Sequence, residues 1–393
     1  MNKKTIIATV FIALIVVVTF YVAYNIFYTS SPAPFSSDKQ PSFTQPSTPS
    51  SPTNSANSPL AKKFSDSSGT TVTDAAGRTV TVPDKVLRIV SLNGALTELL
   101  CAMGCQDLIV GRTTDATFPP SILNVPVVGT DSYSPSVEKI LELEPDIIIS
   151  DSMIAYNTEL YDLLTGEGIP IFIADTTEPQ PAKNPAQMTS AELYAMETIV
   201  DYTCSLMQNL TDVVGHKEQV TAYVNWVQPY NTLVKDRVAT LSREDQPTVF
   251  LDWYSYPYST FVISGIYQGG GINIAENETS YSPTLSPEFV VEKNPAVIIE
   301  LILSPTHNVD DFIAARNDVL GRPDFQGVDA VKDGRVYVCD FNARGGTRAV
   351  IGYLYFAKWL QPDLFVDVNP DVVSQQLNQQ FFGVSSVGAY CYP

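Results

Sequence analysis

Three arginines are the side chains in this sequence with the clearest capacity to bind a charged ligand. Arg112 and Arg344 each follow a predicted buried strand, and Arg348 stands where a helix is predicted to begin. A guanidinium group forms charge-assisted hydrogen bonds with carboxylates, hydroxamates and phosphates. Arg348 has an equally good structural interpretation, in which it caps the helix or pairs with an aspartate. As a group, the arginines favour an anionic ligand.

Aromatic residues form the second candidate binding feature. The segment DWYSYPYS, residues 252–259, contains Trp253, Tyr254, Tyr256 and Tyr258, interrupted by Ser and Pro that break any regular strand or helix. Such rings offer a flat ligand a large dispersion contact at low entropic cost. The alternative is that the rings pack against their own domain.

Two further candidates follow predicted strands. Asn93 comes directly after the strand IVSL, and Tyr133 lies in GTDSYSP. Ligands of open α/β sheets bind beyond the carboxyl ends of the strands, so both residues are expected at such a cleft. His307 also follows a strand and is a weaker candidate for ligand contact.

Enzymatic function is not indicated. His216 and His307 are the two histidines, and neither has the spacing of a metal-binding pair. The sequence has no Gly-x-Ser-x-Gly elbow. We therefore predict no catalytic residues, no metal site and no cofactor.

The elements that must position these residues alternate between strands and helices. Short, fully apolar strands separated by helical sequence are typical of parallel sheets covered on both faces. The predicted strands are residues 87–92, 107–112, 146–150 and 170–175 in the first half and 248–253, 296–303 and 335–340 in the second.

One pattern occurs twice. Residues 136–149 read SVEKILELEPDIII and residues 286–299 read SPEFVVEKNPAVII, each a helix leading into a buried strand. Ser136 and Ser286 are predicted helix N-caps, with Glu138 and Glu288 in the first turn.

Length favours two domains, because 393 residues exceed one ordinary core. Residues 211–243 keep apolar residues at helical spacing, with Pro229 as one interruption, and predict a single long helix between the domains. We predict an N-terminal α/β lobe at 71–208, a bridging helix at 209–244 and a C-terminal α/β lobe at 245–393.

The N-terminus predicts a membrane anchor. Residues 5–27 carry no charge and, as a helix of about 35 Å, are long enough to cross a bilayer. Lys3 and Lys4 precede this segment, which places the N-terminus in the cytoplasm and the rest outside the cell. We predict a retained single-pass anchor at 1–27, followed by a disordered Ser/Pro-rich linker at 28–70.

The net charge argues against one class of partner. A net charge of -19 argues against nucleic-acid binding, which needs Lys and Arg to neutralise phosphates.

Cys101 and Cys105, four residues apart on a predicted helix, are interpreted as core thiols. No disulfide pairs are assigned among the five cysteines, and the Asn209 and Asn277 glycosylation sequons are left open.

The whole pattern resembles the extracytoplasmic binding proteins of ABC importers for ferric siderophores, haem and cobalamin. The resemblance covers most of residues 72–383 in order, through VTDAAGRTVTVPDKVLRIVSLNGALTELL, SVEKILELEPDIII, GGGINIAE, SPEFVVEKNPAVII and GTRAVIGYLYFAKWLQPDLF. It implies two α/β lobes joined by one long helix, with the ligand held between them.

The resemblance also implies partners. It matches Glu138 and Glu288 to a pair of surface acids, one per lobe, that dock onto arginines of a dimeric permease working with an ATPase. The implied ligand is a small-molecule metal chelate, a ferric siderophore, corrinoid or haem, with a small oxyanion such as molybdate as an alternative. A sensory or adhesive ectodomain and an extracellular hydrolase are the other hypotheses.

Overall fold

The structure is a computed structural model. It describes residues 69–176, 188, 192, 196–255, 258–260, 264–278, 282–304, 307–385 and 388–393. The predicted anchor at 1–27 lies outside these residues, as does almost all of the predicted linker. None of the helices in this described part of the chain is long and apolar enough to cross a membrane.

The first half of the chain builds a five-stranded parallel sheet in the order β5-β4-β3-β6-β7. All four predicted strands are present; three are shorter than predicted, and β4 starts two residues later and ends one residue later than predicted. A two-stranded antiparallel hairpin, β1-β2, precedes the sheet. The strands are β1 Gly69–Thr73, β2 Thr79–Pro83, β3 Ile89–Ser91, β4 Ile109–Thr113, β5 Val127–Gly129, β6 Ile147–Ser150 and β7 Ile171–Ile173.

The second half builds another five-stranded sheet in the order β11-β8-β13-β14-β15, in which only β15 runs antiparallel. The chain between β8 and β13 also forms a small antiparallel sheet in the order β12-β10-β9. The strands are β8 Thr248–Asp252, β9 Tyr254–Ser255, β10 Tyr258–Ser259, β11 Ile272–Asn273, β12 Thr284–Leu285, β13 Val297–Ile302, β14 Val336–Asp340 and β15 Cys391–Tyr392.

Helices connect the strands and cover the sheets. The described α-helices are α1 Gly94–Ala102, α2 Val137–Glu142, α3 Thr158–Gly166, α4 Ile199–Val214, α5 Lys217–Val238, α6 Ser264–Gln268, α7 Pro287–Lys293, α8 Val309–Gly321, α9 Asp329–Lys332, α10 Ala349–Leu360 and α11 Pro370–Phe382. Two short 3-10 turns, Phe341–Arg344 and Gly346–Arg348, lie between β14 and α10.

Both sheets are covered on both faces, as the apolar strands predict. In β6, Ile147 and Ile149 belong to one core while Ile148 belongs to another. In β8, Leu251 joins the same large core as Ile147, and Phe250 faces a third core on the opposite side of the second sheet. Alternating strand residues therefore bind each sheet to two layers of helices.

The single long helix predicted over 211–243 is wrong in its start and its length. The chain breaks at Gly215 and His216, both with positive φ, so residues 211–214 end α4 and a separate 22-residue helix, α5, begins at Lys217. The two helices pack together as a hairpin, in which Asn231 and Lys235 of α5 donate to Asp201 of α4 at 2.7 Å each. Periodicity persisted across the break because both helices bury an apolar face.

Candidate functional site

A cavity of about 140 Å³ lies where loops from the carboxyl ends of both parallel sheets meet. The first half of the chain supplies residues that follow β3, β4 and β7, and the second half supplies residues that follow β13 and β14. The lining residues are Asn93, Gly94, Ala95, Glu98, Asp115, Thr117, Phe118, Thr176, His307, Phe341, Asn342, Gly345, Gly346, Thr347 and Arg348.

Asn93 occupies the predicted position. Its Oδ1 accepts from the Leu96 amide and caps α1, while its Nδ2 donates to Asp151 at 2.8 Å. Asp151 also accepts a hydrogen bond from the hydroxyl of Ser132. Burial raises the pKa of Asp151, and the hydrogen bonds oppose that rise. The loops after β3, β5 and β6 are thus linked by one polar network beside the cavity.

The first turn of α1 forms one wall. The Gly94 amide donates to the Asp115 carboxylate at 2.9 Å, and a Cβ at position 94 would lie 2.7 Å from the Asp115 carbonyl oxygen. Only glycine allows the loop after β4 to approach the start of α1 this closely.

The opposite wall approaches equally closely. The Gly346 amide donates to the Thr176 carbonyl at 3.2 Å, with Gly346 at a φ of +56°. A Cβ at Gly345 would lie 2.5 Å from the same carbonyl oxygen. Main-chain contact between the two halves therefore depends on this glycine pair.

Arg348 lies in the cavity lining and joins the two halves. Its Nε is 2.9 Å from the carboxylate of Glu98 on α1, and the Thr347 hydroxyl also donates to Glu98. The side chains of Arg348 and Glu98 are 3 % and 12 % exposed, so the ion pair is shielded from solvent. Glu98 was not identified from the sequence, because one glutamate inside an apolar helix gives no signal of its partner.

Aromatic rings surround the Arg348 guanidinium. Its Cζ lies 4.4 Å from the centre of the Phe118 ring and 3.9 Å from that of Tyr390, within the range of cation–π attraction. Arg348 therefore has both the structural role and the cavity position that the sequence left open.

His307 also lines the cavity. Burial lowers its pKa to about 4, with Arg348 contributing to the decrease, so the imidazole is neutral at pH 7. Its Nδ1 is 4.0 Å from Asp340, whose pKa burial raises to about 6. A neutral imidazole adds hydrogen-bonding capacity to the cavity without adding charge.

Trp253 and Arg344 meet at Phe341, a lining residue. The rings of Trp253 and Phe341 have centroids 4.4 Å apart, and the Arg344 Cζ lies 4.3 Å from the Phe341 ring centre. Neither Trp253 nor Arg344 belongs to the lining itself. The structure therefore brings these two predicted residues together against one lining residue, Phe341.

Arg112 and Tyr258 are placed away from the cavity. The Arg112 guanidinium is buried and donates to four main-chain carbonyls, those of Thr113, Ala116, Leu123 and Val125. It closes the loop after β4, and it is not a lining residue. The sequence predicted Arg112 beyond the strand, whereas it lies within β4 and its side chain holds the loop that follows.

Tyr258, predicted to contact the ligand, does not line the cavity either. It is 4 % exposed and packs in the core of the second sheet, 5.1 Å between ring centroids from Phe325. The alternative of rings packed on their own domain holds here. Tyr256 and the side chain of Tyr254 lie outside the described residues.

Tyr133 is 48 % exposed and lies outside the lining. The Asn157 amide donates to its carbonyl at 2.8 Å.

The predicted docking glutamates are both exposed on first turns of short helices. Ser136 caps α2 and Ser286 caps α7, as predicted, and Glu138 and Glu288 follow in the first turns. Hydrogen bonding lowers the pKa of Glu288, which keeps it ionised at neutral pH.

No cluster of three His, Cys, Asp or Glu side chains placed to hold a metal ion occurs within the described ranges. The cavity is lined by neutral polar groups, the buried Glu98–Arg348 ion pair, the Asp115 carboxylate and two phenylalanine rings.

Comparison with known proteins agrees with this architecture. The profile of the family described as periplasmic binding protein matches residues 89–343. YvrC of Bacillus subtilis, an uncharacterized ABC transporter substrate-binding lipoprotein, is 25% identical over 314 residues, covering 78% of this chain and 90% of that protein.

Two further relatives differ in ligand. The cobalamin-binding protein of Halobacterium salinarum is 25% identical over 238 residues, covering 58% of this chain and 57% of that protein. The structure of molybdate-bound MolA from Haemophilus influenzae superposes with a TM-score of 0.64 at 21% identity, covering 81% of this chain and 99% of that one. At this identity the superposition shows a common fold. Because the family profile spans more than half of the sequence, the chain belongs to the periplasmic binding protein family, as a substrate-binding protein of the ABC-transporter type and not an enzyme.

Proposed function

We propose that this protein captures a metal chelate, a ferric siderophore or corrinoid, outside the cell and delivers it to the permease of an ABC importer. The observation that carries the proposal is the cavity itself, because its walls come from the carboxyl ends of two separate parallel sheets. A site built in this way encloses a ligand when its two walls approach and releases it when they separate.

Two helix N-termini give the cavity a limited capacity for an anionic group of the ligand. The helix α1 begins at the lining residue Gly94, and α10 begins directly after the lining residue Arg348. The N-terminus of a helix carries a partial positive charge, but in α1 the Gly94 amide already donates to Asp115 and the Leu96 amide to Asn93. Arg348 balances the charge of Glu98, whereas Asp115 adds a second carboxylate to the lining.

A metal chelate, a ferric siderophore or corrinoid, is the first ligand candidate. The similarity to a cobalamin-binding protein supports this class. So do the contacts of Trp253 and Arg344 with the lining residue Phe341.

A metal oxyanion such as molybdate is the second candidate. The volume of about 140 Å³ accommodates a small tetrahedral anion without movement of the walls. The relationship to MolA, a molybdate-binding protein 21% identical over 335 residues, supports this alternative.

We infer a simple mechanism of capture. The buried Glu98–Arg348 pair and the Gly346–Thr176 hydrogen bond join the two walls, so opening must break both. A ligand that contacts both walls stabilises the closed form by its differential affinity for that form. Energy for transport comes from the ATPase of the importer.

Delivery uses Glu138 and Glu288 in our proposal. The two glutamates stand on equivalent capped helices of the two halves, both exposed, and a dimeric permease offers two similar basic sites.

We assign residues 71–208 and 245–393 to two lobes and residues 209–244 to the segment that bridges them. We further propose that residues 1–27 anchor the protein in the cell membrane and that residues 28–70 tether it near the permease, which raises its effective concentration there.

Tryptophan fluorescence and thermal shift of the full-length chain in detergent test the binding function. The panel is a set of ferric siderophores, cobalamin, haem and molybdate. We expect saturable binding of one ligand, a smaller fluorescence response in Trp253→Phe, and unchanged affinity in the exposed control Arg243→Ala. Response to molybdate alone selects the oxyanion, whereas silence from the folded protein across the panel rejects the proposal in favour of a sensory or adhesive role.

A further inference from the structure

Two cysteines face each other across the last pair of strands. Cys339 of β14 and Cys391 of β15 are direct register partners, and their sulfur atoms are 2.9 Å apart. Both side chains are buried. We propose that Cys339 and Cys391 form a disulfide bond that fastens the C-terminal strand to the second sheet.

Strand geometry supports the bond. The Asp340 amide donates to the Tyr390 carbonyl at 2.7 Å, so these residues form a hydrogen-bonded pair and the adjacent cysteines form a non-hydrogen-bonded pair. In such a pair the Cα atoms are about 4.5 Å apart, inside the range of roughly 4.4 to 6.8 Å that disulfides span. Closing from 2.9 Å to the bonded distance of about 2.05 Å needs less than about 1 Å of sulfur movement.

The bond would support the cavity from behind. The segment at residues 388–393 carries Tyr390, whose ring centre lies 3.9 Å from the Arg348 Cζ and 4.4 Å from the His307 ring centre. The Ala389 amide also donates to the His307 carbonyl at 2.9 Å. β15 is two residues long and at the edge of the sheet, so a covalent link would prevent it from fraying away from these lining residues.

The chemistry is thiol–disulfide exchange with a small-molecule or protein disulfide as oxidant. One cysteine thiolate attacks the oxidant and releases one thiol, and the second thiolate then displaces the other thiol from the mixed disulfide. Two cysteine thiols are oxidised and one oxidant disulfide is reduced to two thiols. In the cell this reaction rests on the extracytoplasmic location given in the proposed function, since cytosolic thiols stay reduced.

Burial also determines at which stage of folding the disulfide forms. It raises the pKa of Cys391 well above the usual thiol value, and the neighbouring Cys339 adds to the rise. A thiolate is therefore scarce once the strand is packed, and the bond forms while the chain folds. The completed bond is expected to resist glutathione in the native protein and to yield to it after denaturation.

Peptide mapping of the full-length wild-type chain gives the first test. The protein is refolded with oxidised glutathione, denatured, alkylated and digested with trypsin without reductant. We expect peptide 336–344 to be linked to peptide 359–393, a species about 2 Da lighter than the sum of the two free peptides. Recovery of both peptides fully alkylated, or linkage of either to the peptide with Cys101 and Cys105, overturns the proposal.

Thermal unfolding gives the second test. We expect reductant to lower the melting temperature of oxidised wild type by on the order of 5 °C, because the bond closes a loop of about 52 residues. The double variant Cys339→Ala with Cys391→Ala should lose this sensitivity, and the control Cys204→Ala should keep it. A wild type insensitive to reductant after unfolding contradicts the proposal. The mapping works without ligand, so failure of the disulfide is distinguishable from failure of the binding function.

Discussion

The buried pair Glu98–Arg348 gives the sharpest prediction about stability, because it joins the two halves in a nearly solvent-free place. In Arg348→Ala, Glu98 remains buried without its cation. Removing one partner of a buried ion pair costs about 3 to 5 kcal/mol in the free energy of unfolding. The lost packing on Phe118 and Tyr390 acts in the same direction. We therefore expect a loss near the upper end of this range.

Urea denaturation of a double-mutant cycle separates the two effects. The cycle uses Arg348→Met, which keeps much of the packing, Glu98→Gln, and both together. We expect the double variant to recover at least about 1 kcal/mol relative to the sum of the single losses, because no uncompensated charge remains.

Arg243 provides the matched control. Its guanidinium is 2.6 Å from Glu276, but its side chain is 46% exposed. Arg243→Ala should cost no more than about 1 kcal/mol. Equal losses in Arg348→Ala and Arg243→Ala would refute the view that the Glu98 pair is energetically distinct. So would additivity of the single losses within about 0.3 kcal/mol.

The remaining predictions concern docking, acidity and the second buried ion pair. Glu138→Lys and Glu288→Lys should each reduce stimulation of the importer ATPase while leaving the melting temperature unchanged. Normal stimulation would show that the two glutamates have no docking role and act only in the first turns of their helices. His307 is neutral in the fold with a pKa of about 4 against 6.5 unfolded, so its contribution to stability is lost as pH falls through this window. His307→Asn should remove that part of the acid sensitivity in pH-dependent melting, despite the opposing effect of Asp340 nearby. Arg322→Ala should cost about 3 to 5 kcal/mol in urea denaturation by leaving the buried Asp252 carboxylate without its cation, and a loss below about 1 kcal/mol would contradict this reasoning.

The strands were predictable because their signal is local. A run such as residues 146–150 is apolar throughout, and only a strand covered on both faces buries every residue of such a run. The N-caps Ser136 and Ser286 were predictable for the same reason, since a cap depends on the amide three residues ahead. Asn93 was found because the end of a strand places the next residue at the sheet edge regardless of what lies opposite.

The predictions failed where one local sequence pattern is compatible with two different structures. Residues 211–243 keep helical periodicity through Gly215 and His216, but the chain reverses there because α4 and α5 gain more burial by packing together than by continuing as one helix. Arg112 was predicted to follow its strand, but it lies within β4, and its long side chain donates to main-chain carbonyls of the loop that follows.

Sequence alone thus determined which residues form strands and helix starts and which family the chain belongs to, because those properties are written in short-range patterns. Only the tertiary structure decided which side chains share a cavity. Glu98 and Arg348 are separated by 250 residues and meet because two sheets present their carboxyl edges to each other. Cys339 and Cys391 meet because β15 returns to the edge of β14. Contacts between residues so far apart depend on how the sheets and helices pack, which no local spacing records.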